Sequence, residues 1–258
     1  MPKLDTAKSV ADAYLDEIDA TIEIRQSYSN IVVGMAGQIM EALRNDGAAR
    51  STVQKALKHK STDPSALYKP LVVQVNGVFE NYIRSLAKAV IEDRFETVEL
   101  YTELRKEFRD DHIAHAARVL TYVKAGSVMG VPYNFDDLLA NLGKGLSGQK
   151  GYKLNPEVYT KLMGNCTADR LEKLFAALAL PVPFSEPLGR NAELKAYFAD
   201  RAKGRVADRA KEQLDKKIQL RNDIVHGDLT RTVDLNELQD TLKFFRALMA
   251  GLDELIRA

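Results

Sequence analysis

From Leu71 onward, apolar residues recur at Leu71, Val75, Val78, Phe79, Tyr82, Ile83, Leu86 and Val90. Steps of three and four residues match the helical turn, so these side chains line one stripe of an α-helix. A second run, Leu235, Leu238, Leu242, Phe245, Met249, Leu252 and Ile256, repeats the pattern. It starts at Asp234 with Glu237 three residues on, a pair able to satisfy exposed amide donors reciprocally at a helix start. The same reasoning predicts helices near 5–45, 95–124, 155–163, 167–179, 191–201 and 205–226. No stretch shows the period-two alternation of a half-buried strand bounded by turns. The expected fold is all-α, a helical bundle over 70–258 with an N-terminal helical extension over 1–69.

Breaks punctuate this pattern. Thr62-Asp63-Pro64 is one, and Pro181, Pro183 and Pro187 make another. Six of the 15 glycines fall within 126–151, which predicts a long loop over 126–153. Residues 1–60 read as a helical hairpin with Asn45-Asp46-Gly47 at its corner. Such a hairpin could pack on the rest of the chain or reach out to a partner.

Charge narrows the class of function. With 37 Lys plus Arg against 36 Asp plus Glu the net charge is +1, which excludes an acidic tail, a polybasic membrane anchor and a uniformly basic nucleic-acid coat. Apolar content of 45% and charged content of 28% suit an ordinary globular chain. Cys166 is the one cysteine, so neither a disulfide framework nor a cysteine metal site is expected, and it reads as a small packed residue. The opening Met1-Pro2-Lys3-Leu4-Asp5 lacks a signal-peptide pattern. The apolar runs 31–37 and 174–184 fall well short of the roughly 20 residues needed to cross a bilayer. A cytoplasmic protein without a membrane role is the expectation.

Two charged stretches depart from the average. Residues 201–221 hold eight Lys or Arg against three acids, a local +5, and residues 92–111 hold eight acids against four bases, a local −4. The basic stretch suits either a phosphate backbone or a solvated helix face. Asp110-Asp111-His112-Ile113-Ala114-His115 has spacing that could serve a metal, but reads better as acids and histidines on a helix surface, and no metal site is expected. His59, between Lys58 and Lys60, reads as solvated.

One short run carries chemistry: Leu220-Arg221-Asn222-Asp223-Ile224-Val225-His226-Gly227. Gly227 is a natural helix stop, free to adopt the left-handed conformation. Arg221 and His226 lie about 140° apart around a helix, so one exposed stripe does not hold both. The pair becomes useful if the helix follows a groove or faces a second copy of itself. Phosphodiester cleavage in RNA suits it. An imidazole exchanges protons near neutral pH, and a forked, permanently charged guanidinium matches the oxygens of a phosphate gathering charge. RNA brings its own nucleophile, the 2′-hydroxyl, so no metal or cofactor is required. In-line attack benefits from both a base and an acid, which two motifs meeting at a dimer interface would supply.

Arg-x4-His with a polar residue after the Arg and a Gly after the His resembles the motif of the HEPN superfamily. The surroundings are most similar to RiboL-PSP-HEPN and related bacterial defence or toxin domains. They include Phe79-Glu80-Asn81-Tyr82 on an early helix, Asn165-Cys166-Thr167 opening the helix from Ala168 to Leu180, and the approach from Leu214 to Gly227 before a closing amphipathic helix. The likeness covers roughly 70–257. It implies an all-α homodimer whose two motifs line one cleft and, in many members, a metal-independent endoribonuclease leaving a 2′,3′-cyclic phosphate. Toxin–antitoxin and antiviral settings imply RNA as substrate and an antitoxin or defence-complex partner. Carried onto this chain, Arg221 steadies the phosphate, His226 transfers the proton, Asn222 takes the polar position beside the Arg and Glu80 supports Arg221 or His226; Asn222 and, from the basic approach to the motif, Lys217 are the expected substrate-binding residues.

Plainer roles remain open at this stage. Arg221 could pair with Asp223 or Asp228, His226 could simply engage the helix C-terminal dipole, and Glu80 could pair with Arg84 one turn on. The family also holds domains that keep the fold as catalytically silent scaffold modules or as nucleotide-binding dimers, so the motif speaks to fold before activity.

Overall fold

A computed structural model describes residues 2–60, 65–124, 134–161, 164–228 and 230–257. Among the described residues there are eleven α-helices and no strand, as the periodicity predicts. They are α1 (Pro2–Gly34), α2 (Ala36–Ala42), α3 (Gly47–Lys60), α4 (Ser65–Val90), α5 (Lys106–Lys124), α6 (Phe135–Leu146), α7 (Glu157–Lys161), α8 (Ala168–Ala177), α9 (Ala192–Phe198), α10 (Lys203–Val225) and α11 (Leu235–Arg257). Among the described residues, no helix is long and apolar enough to cross a membrane.

Helix α4 is the axis of the bundle, with α1, α10 and α11 packed around it. Its stripe of Val72, Val75, Phe79, Tyr82, Ile83, Leu86 and Val90 is buried, as is the α11 stripe of Leu238, Leu242, Phe245, Met249, Leu252 and Ile256. Phe79 and Phe245 meet with ring centroids 4.8 Å apart, and the Tyr82 hydroxyl donates to the carbonyl of Met249 at 3.3 Å. Burying each large apolar side chain stabilises by roughly 1.5–3 kcal/mol. A surface ion pair is worth about 0–1 kcal/mol, so the two stripes hold the bundle together.

Helix α1 packs on this core. Leu4, Ala11, Leu15, Ile18 and Ile22, spaced by about one or two turns, join the same buried cluster. Charges pin the helix at both levels. Arg246 of α11 reaches Asp16 and Asp19 at 2.8 Å each, Arg257 pairs with Asp5, and Lys3 reaches Glu92 at 2.7 Å. Beyond Ile22 the stripe lapses, Ile24 is exposed, and α2 buries no residue. The single helix expected over 5–45 breaks at Met35, between Gly34 and Gly37, where poor helix formers cluster. The corner falls where expected: Asp46 Oδ1 accepts from the amide of Ala49 at 2.9 Å, and α3 turns back along α1. The break at Thr62-Asp63-Pro64 and the side chain of His59 lie outside the described residues.

Other expectations also need correction. Much of the loop expected over 126–153 is helix α6, capped by Asn134, whose Oδ1 accepts from the amide of Asp137 at 2.8 Å. Residues 125–133 lie outside the described residues. Gly145 is helical, and its hydrogen lets the ring of Tyr101 in; a Cβ there would lie 3.0 Å from Tyr101 Cγ. Close approach, rather than turn geometry, explains that glycine. The segment Asp110 to His115 is also not a surface patch of two histidines. His112 is 3% exposed. Its Nε2 lies 2.8 Å from the carbonyl of Leu154, which only an N–H can serve, leaving Nδ1 to accept from the Tyr101 hydroxyl at 3.0 Å. Phe108 and Tyr159 stack against the ring, and burial pushes its pKa down to about 4.

The helix expected over 95–124 starts at Lys106. Before it, α4 runs into a π turn over Ile91–Phe95 and a single 3-10 turn at Tyr101–Glu103. The Tyr152 hydroxyl donates to the carbonyl of Val98 at 2.8 Å, covering backbone that the irregular stretch leaves open.

Candidate functional site

Helix α10 supplies the motif, and its apolar side explains where the motif points. Val206, Ala210, Leu214 and Ile218 are buried, and Arg221 continues that side near the end of the helix, half-buried and turned toward α4. His226 is the C-cap residue, with φ −82° and ψ 5°. After it Gly227 takes φ +80°. The Gly227 amide then donates to the carbonyl of Ile224 at 3.3 Å, and the Asp228 amide to that of Asp223 at 3.0 Å. This reciprocal pair closes the last helical carbonyls and ends the helix sharply. The His226 amide still donates to Asn222 at 2.8 Å, so its backbone is fixed while its side chain is exposed.

The candidate ion pairs of Arg221 with Asp223 or Asp228 do not form. Asp223 accepts from Gln219 Nε2 at 2.6 Å, and Asp228 Oδ1 accepts from the amide and hydroxyl of Thr230. The Arg221 guanidinium donates to Asn222 Oδ1 at 3.2 Å and makes no salt bridge among the described residues. Asn222 Oδ1 also accepts from Asn165 Nδ2 at 2.8 Å. The turn Asn165-Cys166-Thr167 is thereby held on α10, and Asp215 strengthens the link by accepting from the amide of Ala168 at the start of α8 at 2.9 Å.

Glu80 faces this cluster from α4 and is 8% exposed. Burial pushes its pKa up, against the pull of Arg84, then of Arg221, and of a hydrogen bond from the Cys166 amide. Arg84 lies 3.6 Å from Glu80 Oε2, so the plain helix pair exists, and Glu80 attracts Arg221 as well. Glu80 Oε1 is buried without a hydrogen-bond partner among the described residues. Cys166 is buried, and its thiol is pushed up to about 12 by burial and then by the charge of Glu80, which removes it as a nucleophile near neutral pH.

Lys217 requires correction. Its side chain is turned inward, with Nζ 2.5 Å from Asp240 Oδ2 on α11, and Asp240 also accepts from the Tyr197 hydroxyl. An ammonium so engaged fastens two helices and is not free for a phosphate. Much of the basic stretch is engaged likewise: Lys203 with Glu186, Arg205 and Arg209 with Asp200, and Lys211 with Glu172. The local +5 is therefore smaller at the surface than a count of residues suggests.

In one chain, Arg221, Asn222, Glu80, Arg84 and Asn165 form one cluster, while His226 stands at the helix end without a hydrogen bond to Arg221 among the described residues. Arg84 and Asn165 as cluster members depend on how α4 and the 165–167 turn meet α10, and no spacing in the sequence encodes that.

A family model of RiboL-PSP-HEPN domains matches residues 50–258, beginning within α3 and taking in every helix described above that bears on the cluster. Neither the curated proteins nor the solved structures contain a match to this chain. With so much of its length matched and an all-helical fold, the chain belongs to the RiboL-PSP-HEPN family.

Proposed function

We propose that the protein is an endoribonuclease that needs neither metal nor cofactor and works as a homodimer, with two α10 motifs facing across one cleft. The observation that carries this reading is the state of Arg221 and His226. Among the described residues the arginine makes no salt bridge, being bonded to Asn222 and only attracted by Glu80 across the gap to α4, and the exposed imidazole stands on a backbone fixed by the Gly227 turn. A guanidinium held by an amide and not locked in a close ion pair is suited to a phosphate whose charge grows in the transition state.

In this scheme the ribose 2′-hydroxyl attacks the adjacent phosphorus. His226 of one protomer accepts the hydroxyl proton, and the second copy of His226 protonates the departing 5′-oxygen. The P–O5′ bond breaks, leaving a 2′,3′-cyclic phosphate and a 5′-hydroxyl. Arg221 holds the non-bridging oxygens, and Asn222, fixed by Asn165, orients Arg221. Glu80 is a positioning residue, drawing Arg221 toward α4. A role as a toxin or antiviral effector, with an antitoxin or defence-complex partner, fits an enzyme of this kind in the cytoplasm.

The test is cleavage of end-labelled RNA by the purified protein in excess EDTA, with product ends identified by mass spectrometry. Cyclic phosphate ends, lost on His226→Ala, support the assignment. RNA bound but never cut would favour a silent binding module or a nucleotide-binding dimer, and equal cleavage by the variant would remove His226 from the active site.

A further inference from the structure

Between α1 and α4 lies a hollow of about 720 Å³. It exists because small residues face each other where the helices run together: Ala7 and Ala11 on α1, and Gly77 on α4, with no atom within 4 Å of the position a Cβ on Gly77 would take. Ile18 and Tyr82 form an apolar floor. Around the rim stand Tyr14, 55% exposed, the side-chain amides of Gln74 and Asn81, the guanidinium of Arg84 and the carboxylate of Glu17, which can accept from the amino group of a base. An apolar floor with a few converging polar groups is the make-up of a ligand site. An aromatic ring left in solvent beside amides and a guanidinium fits one ligand class in particular, a nucleotide. A base has a face to stack, an edge of donors and acceptors, and a phosphate attached.

The hollow is joined to the catalytic cluster. Arg84 lines it and also lies 3.6 Å from Glu80 Oε2, and Glu80 in turn attracts Arg221. The Arg84 Nε is buried and has no hydrogen-bond partner among the described residues. Gln74, Gly77, Asn81 and Arg84 follow one another along α4 at steps of three and four residues and so share one side of the helix, next to the side from which Glu80 attracts Arg221. A strand with its scissile phosphate at Arg221 can cross that side and deliver a neighbouring nucleotide into the hollow. Tyr14 and the α1 wall precede residue 50, outside the part of the chain matched by the family model.

We infer that the α1–α4 hollow binds a nucleobase of the RNA substrate flanking the scissile phosphate and so sets the preference for where RNA is cut, an inference that rests on the nuclease reading above. Two variants of the full chain test it. Tyr14→Ala removes the stacking face, and Gly77→Leu fills the hollow without meeting another atom at its Cβ while improving helix propensity. Stacking of one base supports binding by about tenfold or more. Each variant is therefore expected to raise KM about tenfold on a short oligoribonucleotide, and to flatten the base preference beside the cut, with the melting temperature of wild type.

Binding is read separately by fluorescence anisotropy with the same oligonucleotide carrying a 2′-deoxy residue at the cut site, which cannot be cleaved. If wild type cuts RNA while both variants keep wild-type KM, affinity and preference, the hollow is not a subsite and the nuclease reading stands. If RNA is bound but never cut, and both variants weaken that binding about tenfold, the hollow stands and the nuclease reading falls. If wild type binds no RNA, both are overturned.

Discussion

Around His112, Tyr101 and the carbonyl of Leu154 take both ring nitrogens while Phe108 and Tyr159 cover its faces; around His226 the helix ends and the ring stands in solvent. One side chain type thus sits in two opposite surroundings. Burial holds His112 in its neutral form, against the pull of the bond to the Leu154 carbonyl, and its hydrogen bonds make it a packing piece that joins α5 to the stretch before α7. At His226 only the backbone is fixed. An imidazole can move protons for a substrate only where the fold leaves at least one ring nitrogen within reach, a condition that His112 does not meet.

The largest effects should fall on catalysis. His226→Ala is expected to lower RNA cleavage by about 10²–10⁴-fold and to leave unfolding free energy within about 0.5 kcal/mol of wild type. Cleavage rates in EDTA and urea unfolding check both halves, and a large loss of stability would erase the contrast with His112. Arg221→Gln should cost about 10²–10³-fold. Arg221→Lys should recover only part of that, because the charge returns without the fork. Rates on one labelled RNA give the comparison.

His112→Ala should act in the opposite sense. It leaves a cavity and two unpaired groups, costing roughly 3 kcal/mol of stability, while cleavage per folded molecule stays near wild type. The pH dependence follows from the lowered pKa of His112. Its folded value of about 4 lies below the ordinary 6.5, so between these values the unfolded chain binds more protons. The contribution of this group is intact above about pH 6.5 and declines as pH falls toward 4, by roughly 3 kcal/mol in total. Urea unfolding at a series of pH values should show that slope, and His112→Phe should flatten it. The smallest effect is expected at Gly227→Ala. A side chain in the left-handed region costs about 1 kcal/mol, and a matching drop in melting temperature with reduced cleavage would show that the turn also holds His226 in place.

These contrasts also mark what a single sequence discloses. The stripes of α4 and α11 are visible because their period depends on the helix alone. So is the stop at Gly227, since a left-handed turn there needs no distant partner. Helix α6 is hidden because Gly145 yields space to Tyr101, an approach between segments far apart in sequence, and glycine by itself reads as a loop. His112 and His226 look alike as letters, and only the tertiary surroundings tell them apart. Lys217 belongs to a basic run, yet Asp240 claims it from another helix. The site is legible where one helix carries it, and illegible where α4 and the 165–167 turn complete it.

The seat of α1 has a consequence for how the protein is made. Its stripe is covered partly by α4 and partly by α11, and the bond from Arg246 to Asp19 spans 227 residues. At a synthesis rate of about 5–20 residues per second, α1 leaves the ribosome on the order of ten seconds or more before its second wall exists. In that interval it can lean on α4 alone, with part of its apolar stripe bare. Nascent chains should therefore be most open to chaperones and proteases along α1, and a translational pause before α11 should lengthen that exposure.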